Sequence, residues 1–285
     1  MQSNRRTFFK RSLTGAIGAS FIFNSCSNNS SPDNTRVDYS KIDRILNGPL
    51  LKTHLFSESV ILENIELLRY KDNFICKVTS RNGATGISVS NNMHMVSLYP
   101  IFINRIQPFF IGKDAVKLEK LLEEVYVFQS NYKLQSLAFW VPLATLEFAI
   151  LDLLGRIAGK PLCELIGETH NKKIGVYQAN NFRGETAEKS LEGIIQKVEE
   201  TGAKAVKFKI GGRMSNKEYP AGRTEKLIPM IREAFGPEMT IYADSNGSYD
   251  VNEAVRIGKI LQEYKIDFYE EPVPFDWYKE TKKVA

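Results

Sequence analysis

The chain has 285 residues, of which 43% are hydrophobic and 25% charged, a composition typical of a globular protein with one large or two medium domains. Its formal net charge of +5 is concentrated at the start, because residues 1 to 25 contain no acid. The rest of the chain is close to neutral and shows no basic stripe with interleaved aromatic residues, so we expect no nucleic-acid partner. The early basic residues are Arg5, Arg6, Lys10 and Arg11.

Residues 1 to 26 are predicted to be an export signal. A basic start precedes an apolar stretch from Leu13 to Phe23, which is shorter than the about 20 residues of a membrane-spanning helix. The string NRRTFFK, from Asn4 to Lys10, resembles the twin-arginine motif of bacteria, which implies export of a folded protein to the periplasm or to a membrane anchor. A plain basic amphipathic start is the alternative.

The three cysteines lead to different expectations. Cys26 ends the apolar stretch in a segment that resembles a lipoprotein processing box, although Phe23 and Asn24 replace the usual leucine and small residue. Lipidation of Cys26, which would anchor the chain to a membrane, and an incidental cysteine are both left open. Cys76 and Cys163 lie in apolar segments and are expected to be small buried hydrophobes, neither disulfide-bonded nor catalytic.

Residues 27 to 40 and 41 to 167 are predicted to be a disordered linker and an α+β capping domain. The linker is rich in Ser, Asn and Asp and has too few apolar residues to repay the entropy of ordering. Alternating segments between Ser57 and Ser90 indicate a three-stranded antiparallel meander. The apolar period then becomes helical from Asp114 to Gly167.

From residue 168 onward, predicted strands alternate with helices, which indicates a parallel sheet of the TIM-barrel kind. No GxGxxG opens a helix, so nucleotide binding is not predicted. A whole barrel takes about 250 residues, so residues 168 to 285 are expected to be the first half of a barrel, truncated after its fourth strand. The predicted strands are Lys173–Asn180, Ala205–Ile210, Thr240–Asp244 and Ile266–Glu270, and the helices are Thr186–Thr201, Arg223–Ala234 and Val251–Tyr264.

Lysines and acids recur where these strands end. Lys207 and Lys209 are two residues apart and therefore share one face of their strand, near the rim where barrel active sites lie. Asp244 and Glu270 end the next two strands. Each feature has a plain alternative: a soluble strand edge for the lysines, a helix cap for Asp244 and a solvated loop for Glu-Glu-Pro. Together they place the oxygen ligands that Mg²⁺ prefers beside an amine.

The succession KxK, DxN and EEP resembles the mandelate racemase and muconate-lactonizing branch of the enolase superfamily. A second block, residues 147 to 167, is similar to the junction of cap and barrel in that family. The resemblance covers about residues 55 to 285 and implies an enolase-like capping domain followed by a (β/α) barrel. It implies that Lys209 is the base, Lys207 its electrostatic helper, Asp244 and Glu270 the first two Mg²⁺ ligands, and Asn246 and Glu271 residues that support these ligands or touch substrate.

The activity implied by this resemblance is Mg²⁺-dependent removal of the proton α to the carboxylate of a sugar acid. EEP rather than EQP favours a dehydratase; a racemase or epimerase is the alternative within the family, and a non-catalytic exported remnant is the alternative outside it. The third metal ligand and the opposite acid/base group are expected on later strands, so we expect the 285-residue chain to be inactive or nearly so. A full-length form is expected to be a homo-oligomer.

Two cap segments are candidates for contact with the substrate. They are predicted loops, Leu51–Ser57 with His54 and Asn91–Pro100 with His94. A plain surface histidine is the alternative for each. The long segment from Gly211 to Arg223 has no predicted role.

Overall fold

The computed structural model describes residues 38 to 285, and the chain divides into two compact units between His170 and Asn171. The predicted export signal, with Cys26, and the linker up to residue 37 lie outside the described residues. Ser40, at the end of the predicted linker, begins the short helix α1 (Ser40–Leu46).

The first unit contains the predicted antiparallel meander, with its strands in the order β1-β2-β3. The middle strand shows why the sequence forms a sheet: Phe74, Cys76 and Val78 are buried, while the residues between them are partly exposed. The buried side chains join the core of this unit. The strands are β1 (Leu62–Tyr70), β2 (Asn73–Ser80) and β3 (Thr85–Val89).

Helices cover one face of this sheet, and the longest of them, α5, packs directly against β3. Gly86 makes this close approach possible, because a Cβ atom there would lie 2.2 Å from the carbonyl oxygen of Ala149. The helices are α2 (Asn92–Ile101), α3 (Gln107–Phe110), α4 (Leu118–Val127), α5 (Leu137–Ala158) and α6 (Leu162–Ile166), with a π-helical turn at Phe102–Ile106 and 3₁₀ turns at Thr53–Leu55, Ala115–Lys117 and Phe128–Lys133.

Helix α5 is, among residues 38 to 285, the one helix long and apolar enough to cross a membrane. Half of its apolar window is buried inside the structure. Phe139, Leu146 and Leu153 on this helix are fully buried and belong to the core of the first unit. The helix thus serves as the centre of that core.

The predicted loop Asn91–Pro100 is a helix, so that prediction was wrong. Asn91 precedes α2 with an extended backbone, Met95 is fully buried and the ring of Tyr99 stacks on Phe74 with centroids 6.1 Å apart. The segment begins with the polar residues Asn91 and Asn92, which favoured a loop, but its later residues include an apolar helix face that packs inward through Met95. His94 is partly buried on this helix, whereas His54 is exposed in a 3₁₀ turn.

Cys76 is buried, as predicted, but Cys163 is exposed, which contradicts its predicted burial. The reason is the shortness of α6: in its five residues only Leu165 is buried. Both thiols are free. The apolar neighbours of Cys163 in sequence, Leu162 and Ile166, are themselves exposed.

The second unit is a four-stranded parallel sheet in the order β4-β5-β6-β7, with a helix after each strand. Consecutive strands therefore lie side by side, as in a partial (β/α) barrel. The strands are β4 (Gln178–Ala179), β5 (Ala205–Lys209), β6 (Thr240–Asp244) and β7 (Phe268–Glu270), and the helices are α7 (Ala187–Thr201), α8 (Arg223–Phe235), α9 (Val251–Glu263) and α10 (Tyr278–Val284).

Strand β4 is much shorter than predicted. Residues 173 to 177 form no strand, and the side chains of Ile174 and Val176 are 78% and 80% exposed. Among the described residues β4 pairs with β5 alone. The start of the predicted strand therefore has neither a second neighbour nor a core to cover it.

The two faces of the parallel sheet differ as the alternation of side chains predicts. Val206 and Phe208 on β5 are fully buried in the core that the sheet shares with its helices. Ile241 and Ala243 on β6 join the same core. The side chains between these residues lie on the opposite face, which carries the site.

Candidate active site

Three of the predicted site residues form one row across the sheet. Lys209 is the register partner of Asp244, and Asp244 is the register partner of Glu270. Each residue ends its strand. Because parallel strands bring their carboxyl ends to the same edge, side chains far apart in sequence lie together.

The side chains of this row, together with Lys207, form a connected cluster. Lys207 Nζ lies 2.9 Å from Glu270 Oε2 and 3.1 Å from Asp244 Oδ2, so one ammonium contacts both carboxylates. Lys209 Nζ lies 2.6 Å from the same Asp244 Oδ2. The structure thus brings together the four residues that the family resemblance assigns to the base, its helper and the metal ligands.

Burial and charge act in opposite directions in this cluster. Burial alone would raise the pKa of Asp244, but the hydrogen bonds from Lys209 and Lys207 outweigh it and hold that pKa below its ordinary value. Burial alone would lower the pKa of Lys207, but the bonds to Glu270 and Asp244 outweigh it and raise that pKa. Asp244 is therefore a carboxylate and Lys207 an ammonium at neutral pH.

Asn246 and Glu271 extend the cluster beyond the strand ends. Asn246 Oδ1 accepts a hydrogen bond from Lys209 Nζ at 3.0 Å, and its Nδ2 donates to Glu271 Oε2 at 3.0 Å. Its backbone N donates to Asp244 Oδ1 at 2.9 Å. Asn246 and Glu271 have φ angles of 46° and 47°, a strained conformation for residues other than glycine that is concentrated at functional sites.

Asp244 is not a helix cap, the plain alternative for this residue. The cap of α9 is Asp250, whose side chain accepts a hydrogen bond from the backbone N of Glu253 at 2.9 Å. Asp244 is the last residue of β6, which lies between β5 and β7, and its side chain is 1% exposed. Both of its carboxylate oxygens accept hydrogen bonds within the cluster: Oδ2 from Lys209 Nζ and Oδ1 from the backbone N of Asn246.

Sequence reasoning missed two arginines that contact the cluster. Arg183 donates to Asn246 Oδ1 at 3.0 Å, and Arg223 donates to the carbonyl oxygen of Lys209 at 2.9 Å. Arg183 follows β4 at the same sheet edge, so its position after a strand was an available signal. Arg223 begins helix α8 and reaches the site only through the fold, so the sequence carried no signal for it.

The described residues supply two carboxylates for a metal. In residues 38 to 285 no group of three or more His, Cys, Asp or Glu side chains could hold a metal ion. Asp244 and Glu270 nevertheless suit Mg²⁺, because they offer hard oxygen atoms. The Lys207 ammonium already bridges them as a cation. His54 and His94 belong to the first unit, and their role in substrate contact stays a prediction.

Parts of the chain are similar to known proteins. A family profile described as "Enolase C-terminal domain-like" matches residues 191–285, which contain all three strand-end motifs. The chain is 25% identical over 183 residues to an arabinonate dehydratase of Saccharolobus solfataricus, covering 63% of this chain and 46% of that protein. It is 26% identical over 230 residues to a D-mannonate dehydratase of Caulobacter vibrioides, covering 71% and 56%.

A solved structure shares the fold. It is a mandelate racemase/muconate lactonizing protein from Paracoccus denitrificans, complexed with magnesium, with a TM-score of 0.69 and 22% identity over 80% of this chain and 62% of that chain. The chain spans about half the length of the curated relatives it matches. Residues 191–285 thus match the enolase C-terminal domain-like family model, and the chain shares the fold of this mandelate racemase/muconate lactonizing protein.

Proposed function

We propose that this cluster removes the proton α to the carboxylate of a sugar acid, and that the overall reaction is loss of water from that acid. The observation that carries the proposal is the register row of Lys209, Asp244 and Glu270, which sets an amine beside two carboxylates at one sheet edge. Two of the matched relatives bear the names of sugar-acid dehydratases. That agreement supports the choice of substrate class.

Lys209 is the proposed base. Its Nζ, in the neutral amine form, accepts the proton, so a C–H bond breaks, an N–H bond forms and the electron pair moves toward the substrate carboxylate. Asp244 Oδ2 and Asn246 Oδ1 hold Nζ in place at 2.6 Å and 3.0 Å. The Lys207 ammonium lies on the same strand face and adds positive charge where negative charge develops.

Asp244 and Glu270 would hold Mg²⁺. When bound, Mg²⁺ stabilises the negative charge that develops on the substrate carboxylate. Mg²⁺ prefers near-octahedral coordination, and two carboxylates shared with an ammonium meet this preference poorly. For residues 38 to 285 we therefore expect weak metal binding and little or no turnover.

A racemase or epimerase is the runner-up, because it begins with the same proton removal. The two reactions differ in their products: a dehydratase forms a 2-keto-3-deoxy acid, whereas a racemase or epimerase returns the acid with inverted configuration. Incubation of the chain with sugar acids in D₂O, followed by NMR, separates these outcomes. Deuterium at the α carbon without either product indicates that only the first step occurs.

Metal binding gives a test that does not need turnover. Terbium(III) prefers oxygen ligands, and its luminescence is sensitised by nearby tyrosine rings. Lys207 Nζ, which bridges both carboxylates, lies 5.2 Å from the centroid of the Tyr177 ring. A terbium ion on the same carboxylates is therefore expected to give a sensitised signal, which Mg²⁺ should reduce by competition.

Two variants locate that signal. Asp244→Asn and Glu270→Gln should each abolish it or weaken binding at least about tenfold, the loss expected when a ligand or its close partner is removed. Glu238→Gln is the matched control, because Glu238 is exposed and precedes the opposite end of β6. A terbium signal that is absent, or unchanged in both site variants, would refute the proposed metal site.

A further inference from the structure

We infer that Arg183 is a positioning residue of this site: it holds the strand ends that carry Lys209 and Asp244, and it fixes the orientation of the Asn246 amide. The inference rests on the proposed function and adds a residue to it. Arg183 follows β4, is partly buried and belongs to none of the three strand-end motifs.

The first contacts of Arg183 are with backbone carbonyls just after β5 and at the last residue of β6. Its Nε donates to the carbonyl of Gly211 at 3.1 Å, and its Nη2 donates to those of Ile210 at 2.9 Å and Asp244 at 3.2 Å. A guanidinium offers five donors in one rigid plane, so a single side chain can link two strand ends. Arg183 thereby connects the end of the base strand to the end of the ligand strand.

The second contact of Arg183 is with the Asn246 side chain. Asn246 Oδ1 accepts from Arg183 Nη1 and from Lys209 Nζ, each at 3.0 Å, while Nδ2 faces Glu271 Oε2. The reversed amide would turn its NH₂ group toward two N–H donors and its oxygen toward a carboxylate. Arg183 and Glu271 therefore fix the amide from both sides, and Oδ1 stays directed at the base.

Arg223, in the same region, provides a comparison, because its hydrogen bonds are structural only. It is 3% exposed and donates to the carbonyls of Lys209 at 2.9 Å and Phe182 at 2.6 Å, and to Ser190 Oγ. It contacts no side chain of the cluster. Arg183 differs because it touches Asn246, whose side chain in turn contacts the base.

The positioning role and simple electrostatics predict opposite results. Arg183 is a cation near the proposed metal site, so removing its charge should strengthen the binding of a metal cation if charge were its only influence. If Arg183 positions the end of β6, its removal should weaken binding, because the Asp244 carboxylate loses its fixed place. Whether the metal affinity rises or falls when Arg183 is replaced therefore decides between a charge effect alone and a positioning role.

The experiment is a terbium titration of the full chain and three variants. We expect Arg183→Met to bind terbium about tenfold more weakly than the unaltered chain. Arg183→Lys, which keeps the charge but not the planar fork, should also bind more weakly. Arg213→Met is the matched control: Arg213 is exposed, and its guanidinium forms no ion pair among residues 38 to 285. This control should bind as tightly as the unaltered chain, or more tightly.

Thermal melting by circular dichroism accompanies each titration. If Arg183→Met fails to fold, Arg183→Lys decides: weaker binding with unchanged melting supports the inference, and unchanged affinity overturns it. Binding by Arg183→Met that equals or exceeds that of the unaltered chain also overturns it. If the unaltered chain gives no signal that depends on Asp244 and Glu270, the proposed function itself fails, whereas a normal signal insensitive to Arg183 rejects this inference alone.

Discussion

Lys209 and Asp244 are register partners on neighbouring parallel strands, and Lys209 Nζ meets Asp244 Oδ2 at 2.6 Å. The same oxygen also lies 3.1 Å from Lys207 Nζ. Asp244 thus contacts both lysine side chains that share one strand face, and its side chain is the most buried of the three. The arrangement of the cluster depends on this carboxylate.

Lys207→Met should strengthen terbium and Mg²⁺ binding several-fold. The Lys207 ammonium contacts both Asp244 and Glu270 and therefore competes with a metal for the same oxygens. A methionine fills a similar volume without charge. Terbium luminescence measures the affinity, and Lys204→Met, at an exposed position just before β5, is the control. Unchanged or weaker binding would show that Lys207 does not occupy the metal position.

Asp244→Asn should lower the free energy of unfolding by about 3 kcal/mol, the typical cost of removing one partner of a buried ion pair. The substitution leaves the side chains of Lys207 and Lys209, which are 10% and 12% exposed, without their shared carboxylate. Urea unfolding measures the change. Asp276→Asn, at an exposed position, should stay within about 0.5 kcal/mol of the unaltered chain; equal effects of the two variants would contradict the account.

Gly86→Ala should destabilise the first unit by about 2 kcal/mol or more, the cost of overpacking a close contact. A Cβ at this position would lie 2.2 Å from Ala149 O and 2.3 Å from Leu153 N, both on the backbone of α5. Strand and helix would have to separate. Gly175→Ala, with no atom within 4 Å of the added Cβ, is the control in thermal melting. A stable Gly86→Ala chain would show that β3 and α5 lie farther apart.

Cys76 should resist alkylation in the folded chain over a wide pH range. Burial raises its pKa to about 12, so the reactive thiolate is scarce below that pH. In the unfolded chain the thiol ionises near pH 9, so its contribution to stability is present below pH 9 and is lost as the pH rises toward 12. Mass spectrometry after iodoacetamide treatment at pH 8 should show labelled Cys163 and unlabelled Cys76. Labelling of Cys76 without denaturant would contradict its burial.

We propose that the chain is exported, and substitutions in the predicted export signal, residues 1 to 26, test this directly. Replacing both Arg5 and Arg6 by lysine should stop a fused reporter from reaching the periplasm of a bacterium with a twin-arginine pathway. Fractionation of the cells measures the location. Cys26→Ser should release an exported reporter from the membrane if Cys26 is lipidated. Export that survives the double replacement would reject the twin-arginine interpretation.

Much of the barrel portion was predictable because its signals are local. The predicted strand Thr240–Asp244 has the bounds found in the structure, and Thr186 caps helix α7 at the predicted start. The periodicity of apolar residues does not predict secondary structure correctly where the burial of a segment depends on residues distant in sequence. The predicted strand from Lys173 shortens to Gln178–Ala179, and the predicted loop at Asn91 becomes α2, because neither outcome follows from the residues themselves.

The sequence by itself indicated the resemblance to the enolase superfamily, the types of residue at each strand end and the face on which Lys207 and Lys209 lie, because alternation along a strand and the order of motifs are properties of the chain alone. Only the tertiary structure decided that Lys207 bridges the two carboxylates and that Arg183 joins the ends of β5 and β6. These contacts link residues 27 to 63 positions apart, and their existence depends on how neighbouring parallel strands align.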